Sequence, residues 1–282
     1  DKVSKYLQKD PELINTKNAE AMTPLNLAAQ EGQLEVAELL LEKGADAELG
    51  DNENSGPIHL AAISGNKEIV SLLIKHGVSI DAQDDNGLTP LHFALSRRQF
   101  EMANYLLDAG ADVKIQTNAS WSALQLAAIG GNLDLVKRLV EKKVNVNDEI
   151  EGGMTPLFSA ASYGYTDIVK YLVEQGADIH HKDDNGRTVL FLTRNPNTYE
   201  VVDYLISKGV DVKQKDKFNQ TALHQVDVRG STDIAELMLE RGADINTASI
   251  DGRTPLTFAT YAENSEAMAK FLILNGADVN PD

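Results

Sequence analysis

Residues 84–116 read DDNGLTPLHFALSRRQFEMANYLLDAGADVKIQ, a 33-residue sentence that recurs in outline along the whole chain. Asp84-Asp85-Asn86-Gly87 is a turn signal, and Gly87 suits the left-handed backbone such a turn needs. Thr89-Pro90 then opens a helix. Threonine offers an N-cap oxygen, and proline takes the first helical position, where a missing N–H costs nothing. Leu91, Ala94 and Leu95 form one apolar stripe on a helix of about two turns. Met102, Tyr105 and Leu106 mark a second helix, and Gly110 stands where a left-handed C-cap ends it. Ala111-Asp112-Val113 then runs extended into the next turn.

The threonine slot is refilled at Thr23, Gly56, Thr89, Ser122, Thr155, Thr188, Thr221 and Thr254, so Thr23 and Thr254 lie seven periods of 33 apart. Paired alanines recur in the first helix at Ala28-Ala29, Ala61-Ala62, Ala127-Ala128 and Ala160-Ala161, small enough for neighbouring helices to approach closely. The helix-ending glycine recurs at Gly44, Gly77, Gly110, Gly176, Gly209 and Gly242, with Lys143 as the one gap. No unit of this size can bury both of its helices alone, so stability must come from stacking.

The pattern Thr89-Pro90-Leu91-His92, Ala61-Ala62, Gly65, Ile69-Val70-Ser71-Leu72-Leu73 and Gly242-Ala243-Asp244-Ile245-Asn246 resembles the ankyrin repeat. The resemblance implies an all-α solenoid of helix-turn-helix units with turn or β-hairpin tips. It covers eight full repeats over residues 18–282, expected to form one elongated domain. Residues 1–17 read as a partial repeat, because Val3, Tyr6 and Leu7 precede Val36, Leu39 and Leu40 by 33. The opening Asp1-Lys2-Val3-Ser4-Lys5 reads as the middle of a longer chain.

Two places break the rule. In the sixth repeat Thr188–Pro196 lacks the alanine pair, and Pro196 predicts that the first helix ends at Asn195. In the seventh, Val226-Asp227 stands in the alanine slot. Arg194 and Asp227 hold the same slot in adjacent repeats, which predicts an ion pair between repeats. The last repeat carries one extra residue within Tyr261–Ser265.

Composition narrows the function. The 282 residues carry a net charge of −17, which disfavours a nucleic-acid partner, since phosphate binding needs clustered Lys and Arg. The sequence holds no cysteine, so disulfides, thiol nucleophiles and thiolate metal sites are excluded. No stretch has the apolar length of a membrane span. There is no P-loop, dinucleotide fingerprint or zincin motif, and the expectation is a chain that is not an enzyme and needs no cofactor or metal. His59, His92 and His224 are expected to hydrogen-bond neighbouring turns, and Asp84-Asp85 and Asp183-Asp184 to form turns. His180-His181 beside that last pair has no tight metal spacing.

The resemblance implies a concave binding side made of turn tips and the exposed ends of the first helices. The slots that vary from repeat to repeat there pick out Leu88, Arg97, Trp121, Ile129, Met154, Tyr163, Arg187, Phe218, Arg229 and Arg253 as partner-binding candidates. Trp121, the only tryptophan, either anchors a partner or packs between tips. Arg187, Lys217, Arg229 and Arg253 make the later tips locally basic. The expected function is a monomeric protein-binding module for a protein partner. The alternative is the targeting arm of a larger enzyme or bacterial effector. A cytoplasmic location is favoured, with an exported or host-delivered bacterial protein as the other reading.

Overall fold

Fourteen short α-helices follow one another in the computed structural model, which describes residues 11–193, 196–226, 232–261 and 266–279. The backbone divides into two compact units, Asp1–Val144 and Asn145–Asp282. Each contains four of the threonine-slot repeats. The N-terminal remnant Val3, Tyr6 and Leu7, the Arg194–Asp227 pairing and Arg229 lie outside the described residues.

In the first unit the inner helices are α1 (Pro24–Gln30), α3 (Pro57–Ser64), α5 (Pro90–Ser96) and α7 (Ala123–Gly130). Each is followed by an outer helix: α2 (Leu34–Glu42), α4 (Lys67–Lys75), α6 (Phe100–Asp108) and α8 (Leu133–Glu141). The inner helices stack α1 on α3, α3 on α5 and α5 on α7. Ala28, Ala29, Ala61, Ala62, Ala127 and Ala128 are buried at these contacts. Thr23, Thr89 and Ser122 cap their helices as the sequence predicts, whereas the Thr155 and Thr188 hydroxyls of the second unit make no cap bond. The Thr23 hydroxyl accepts the Asn26 amide at 3.1 Å, while the Asn26 side chain accepts the Thr23 amide at 2.8 Å. In the third repeat His92 plays the Asn26 part, its Nδ1 accepting the Thr89 amide at 3.2 Å.

The second unit has α9 (Pro156–Tyr163), α10 (Thr166–Glu174), α11 (Tyr199–Ser207), α12 (Thr232–Glu240), α13 (Pro255–Tyr261) and α14 (Glu266–Leu274). Two of its inner helices are reduced to single 3-10 turns, Val189–Leu192 and Ala222–His224. The sixth repeat therefore stops earlier than Pro196 alone predicts. Thr193, in the alanine slot, closes it, its hydroxyl donating to the Leu190 carbonyl at 2.8 Å, and Phe191 is buried three residues after the slot threonine, as Phe158 is in the fifth repeat. The shortened helix of the seventh repeat is not foreseen in the sequence. Its alanine slot holds Val226, buried and bulkier, and the helix ends before reaching it.

Among the described residues there is no strand, and the tips are turns rather than hairpins, with one isolated antiparallel bridge between Ile150 and Met154. The residue two before the threonine slot has positive φ in all eight repeats, whether it is Gly87 (φ 77), Asn54 (φ 60) or Ser120 (φ 61). At Gly87 a Cβ would stand 3.0 Å from the Asn118 amide nitrogen of the next tip, so close approach adds to the demand for glycine. The last repeat's extra residue is visible in the same way, since the turn glycine after α14 is Gly276, 34 residues after Gly242.

The helix-ending slot is equally strict. Lys143, the only non-glycine there, is also forced to φ 65. A side chain with a Cβ pays for this conformation, whereas glycine does not. Lys143→Gly should therefore raise stability by about 0.5–1 kcal/mol, after the greater chain entropy of unfolded glycine is subtracted. Denaturant unfolding of the two proteins checks this, and an unchanged or lowered midpoint contradicts it.

Candidate binding surface at the turn tips

Seven of the eight tips are held by one side chain, five residues before the threonine slot; in the fifth repeat that place is Ile150, and the turn is closed by the backbone alone, the Ile150 amide donating to the Met154 carbonyl at 3.0 Å. Asp84 Oδ1 accepts the backbone amides of Asn86 at 2.9 Å and Leu88 at 2.8 Å. Asp51 does the same for Glu53 and Ser55, Asp183 for Asn185 and Arg187, Asp216 for Phe218 and Gln220, and Asn18 for Glu20 and Met22. Where a hydroxyl replaces the carboxylate it accepts one amide: Thr117 from Trp121 at 3.0 Å, Ser249 from Arg253 at 3.1 Å. The acidic turn residues are thus occupied by backbone donors and are structural, as their composition suggests.

Successive tips are also tied to one another. In the first unit the Asp85 amide donates to the Glu53 carbonyl at 3.0 Å and the Asn118 amide to the Asn86 carbonyl at 2.9 Å. In the second, Asp184 donates to Gly152, Lys217 to Asn185 and Ile250 to Phe218. This backbone ladder leaves the residues one, three and four before the slot to present their side chains from a fixed frame.

Between the third and fourth tips the frame encloses a hollow of about 330 Å³ lined by Asn86, Leu88, Asn118, Ala119, Trp121 and Leu126, with Thr117 behind them. Trp121 is half-buried rather than fully exposed, so it both packs between tips and forms a wall. The Asn118 side-chain amide donates to the Asp85 carbonyl at 2.9 Å and fixes the floor.

An ankyrin-repeat model matches three times, at residues 44–117, 111–183 and 184–282, and a second ankyrin-repeat model matches residues 6–61. The chain belongs to the ankyrin-repeat family. Among curated proteins, none matches it. Ankyrin repeats are generally protein–protein interaction modules and typically lack catalytic residues.

The structure brings only some of the sequence-selected residues together. In the first unit, Leu88 and Trp121 share the hollow, while Arg97, exposed at the end of α5, and Ile129, half-buried on α7, do not line it. In the second unit Met154 is half-buried and its carbonyl accepts the Ile150 amide at 3.0 Å. Tyr163 is exposed and stacks on Tyr165 with ring centroids 5.7 Å apart. Phe218 is 53% exposed.

The arginines depart from the expectation of a basic C-terminal surface. Arg187 forks onto Asp183, with Nε and Nη2 at 2.7 and 2.6 Å from Oδ2, and the Asp183 side chain has no exposed surface. Arg253 pairs with Asp251 at 3.0 Å and lies over the Tyr261 ring. Both cations are engaged by carboxylates of their own turns. Lys217, expected at a basic tip, is exposed, and so are Lys213 and Lys215 before it, which the sequence reading does not single out. Ile250, 73% exposed on the neighbouring tip, was also overlooked.

Two of the three slot histidines, His59 and His224, reach a neighbouring turn as expected, and His92 does not. His59 Nδ1 accepts the Gly56 amide at 3.0 Å, which puts the ring proton on Nε2, 2.8 Å from the Ala82 carbonyl. His224 Nδ1 accepts the Thr221 amide at 3.0 Å, and its Nε2 lies 3.3 Å from the Arg253 carbonyl. His92 is buried against the Ile115–Trp121 turn, but its Nε2 makes no hydrogen bond. His181, outside the slot, has Nε2 2.8 Å from the Gly153 carbonyl and packs edge-on to Phe158. Among the described residues no three His, Asp or Glu side chains are grouped to hold a metal, and no helix is long and apolar enough to cross a membrane.

Burial lowers the pKa of His59 and His224, and lowers that of His92 to about 4. The unfolded chain therefore binds these protons first, and the stability that the neutral rings contribute is present above pH 6.5 and lost as pH falls from there towards 4. For His92 the loss is on the order of 3 kcal/mol when the fall is complete. Glutamine already serves the same slot at Gln125, so His92→Gln should lose less stability between pH 7 and pH 4.5 than the parent protein. Equal losses in urea unfolding at the two pH values would contradict this.

Proposed function

We propose that this ankyrin-repeat chain is a non-enzymatic module that holds a protein partner against its turn tips and the adjoining ends of its inner helices. The observation that carries the reading is the hollow between the third and fourth tips. Its walls, Leu88, Ala119, Trp121 and Leu126, are apolar, and its rim carries the Asn86 and Asn118 amides. A half-enclosed apolar cavity with few polar groups suits one bulky side chain of a partner. The tips are tied by side chain and backbone before any partner arrives, so little ordering cost falls on this side of the complex. A net charge of −17 favours a protein over a nucleic acid as that partner.

Capture of the partner from native lysate tests the proposal. Leu88→Glu and Trp121→Ala should each abolish a captured band while the melt stays cooperative. Glu38→Lys, on the outer-helix groove formed with Leu34 and Tyr105, should leave it intact. A band that survives both tip changes, or that depends on Glu38, removes the tip surface from the binding account.

A further inference from the structure

The backbone ladder joins the residue four before one threonine slot to the residue three before the preceding slot. Of its five bonds only the one from the Asp85 amide to the Glu53 carbonyl, at 3.0 Å, joins two charged residues, and both are acidic. Like charges held side by side across a backbone pair repel each other. Both residues are exposed, and among the described residues neither carboxylate has a hydrogen bond or an ion pair. The cations of the first three repeats are placed elsewhere on this side. Lys17 is turned onto the Gly50 carbonyl at 2.6 Å. Arg97 and Arg98 stand at the end of α5, off the tips, with Arg98 Nη2 3.4 Å from the Ile129 carbonyl.

This acidic pair adjoins the apolar hollow. Asn118, which lines the hollow, donates its side-chain amide to the Asp85 carbonyl at 2.9 Å, and Asn86, which also lines it, follows Asp85 in the chain. The hollow therefore has an apolar interior, walled by Leu88, Ala119, Trp121 and Leu126, and an acidic margin on the side of the second tip. An apolar side chain seated in the hollow brings its own chain neighbours over Asp85 and Glu53. A lysine or arginine there relieves the repulsion between the two carboxylates, while an acidic neighbour adds to it.

We infer that the occupant of the hollow is a basic segment of a protein partner, with one bulky apolar side chain between Leu88 and Trp121 and a lysine or arginine beside it facing Asp85 and Glu53. The inference rests on the reading of the hollow as the partner site and deepens it by naming the charge of the partner. Glu20, exposed on the first tip, continues the same sign beyond Glu53. A nucleic acid or an anionic membrane surface would meet these carboxylates with repulsion.

The test is fluorescence anisotropy of the whole chain with three dye-labelled peptides: Lys-Lys-Gly-Phe-Gly-Lys-Lys, the same peptide with glutamate for every lysine, and the same peptide with alanine for phenylalanine. The first should bind at low salt, and the other two about tenfold more weakly or not at all. Glu53→Lys/Asp85→Lys should weaken the first peptide about tenfold and remove its advantage over the glutamate peptide. Trp121→Ala should weaken it to the level of the alanine peptide. Glu35→Lys/Glu42→Lys, the same charge change at exposed positions of α2, should leave binding within about twofold of the parent. Unfolding midpoints within error of the parent show that the variants remain folded, and Glu53→Gln/Asp85→Asn serves as the milder change should the reversal disturb the tips. Binding that needs Trp121 but takes the glutamate peptide equally well overturns the basic occupant and leaves the hollow as a partner site. Binding that survives Trp121→Ala, or that the α2 changes weaken as much as the tip changes do, overturns it in favour of attraction to the net charge. No binding of the lysine peptide by the parent also overturns it, and the capture test then decides separately whether the hollow holds a partner.

Discussion

The tips of this protein hang from a small acceptor placed five residues before seven of its eight threonine slots, Ile150 in the fifth repeat being the exception. Asp84 shows why it matters. Its carboxylate gathers two amides of its own turn, which leaves the Asn86 carbonyl to receive the amide of the next tip. Backbone donors at an exposed turn would otherwise be satisfied by water and the loop would be free to move. With the acceptor in place, each tip has one conformation and each neighbour has a fixed docking edge. The exchange of Asp for Thr117 or Ser249 preserves the acceptor with one amide fewer, so oxygen and not charge is what the side chain supplies there, and the fifth repeat, with Ile150 at that place, closes its turn by the backbone bond to Met154 alone.

The helices beneath obey a second constraint, the positive φ required at the turn and at the end of each outer helix. Ala21, Ser120 and Lys143 adopt it despite their side chains, which shows that the stack imposes the conformation and the residue merely tolerates it. A frame specified this heavily can accept change at the remaining positions. The tips consequently vary from Met22 through Trp121 to Arg253 without altering the path of the chain. Binding character resides in that variation. The first unit offers an apolar hollow, the second the exposed apolar side chains Phe218 and Ile250 on adjacent tips.

Much of this was legible in the sequence because covalent geometry wrote it there. Proline after threonine, paired alanines and glycine after the second helix each have one physical use, and the inner and outer helices fall where those residues put them. The reach of His59 and His224 to neighbouring turns was also legible, whereas the bond from each slot histidine back to its N-cap amide was not read. Pair-dependent features were harder to read. Arg187 looked like a free cation because nothing in the sequence distinguishes a carboxylate that faces water from Asp183, which is turned inward by its amide bonds. The seventh repeat's shortened inner helix depends on how Val226 meets its neighbours, and a repeat template that expects alanine hides it. Lys213 and Lys215 are harder to read because they lie in the connector, outside the slots that the template marks as variable, whereas Lys217 stands within them, four before Thr221.

Hydrogen–deuterium exchange of the chain, free and with its captured partner, tests the central claim most directly. The account predicts slow exchange at the amides of Asn86, Leu88, Trp121, Phe218 and Gln220 already in the free protein, with further protection on binding confined to tips and inner-helix ends. Fast exchange at those amides in the free protein, or protection on binding that maps to the outer helices Leu34–Glu42 and Lys67–Lys75, would contradict it.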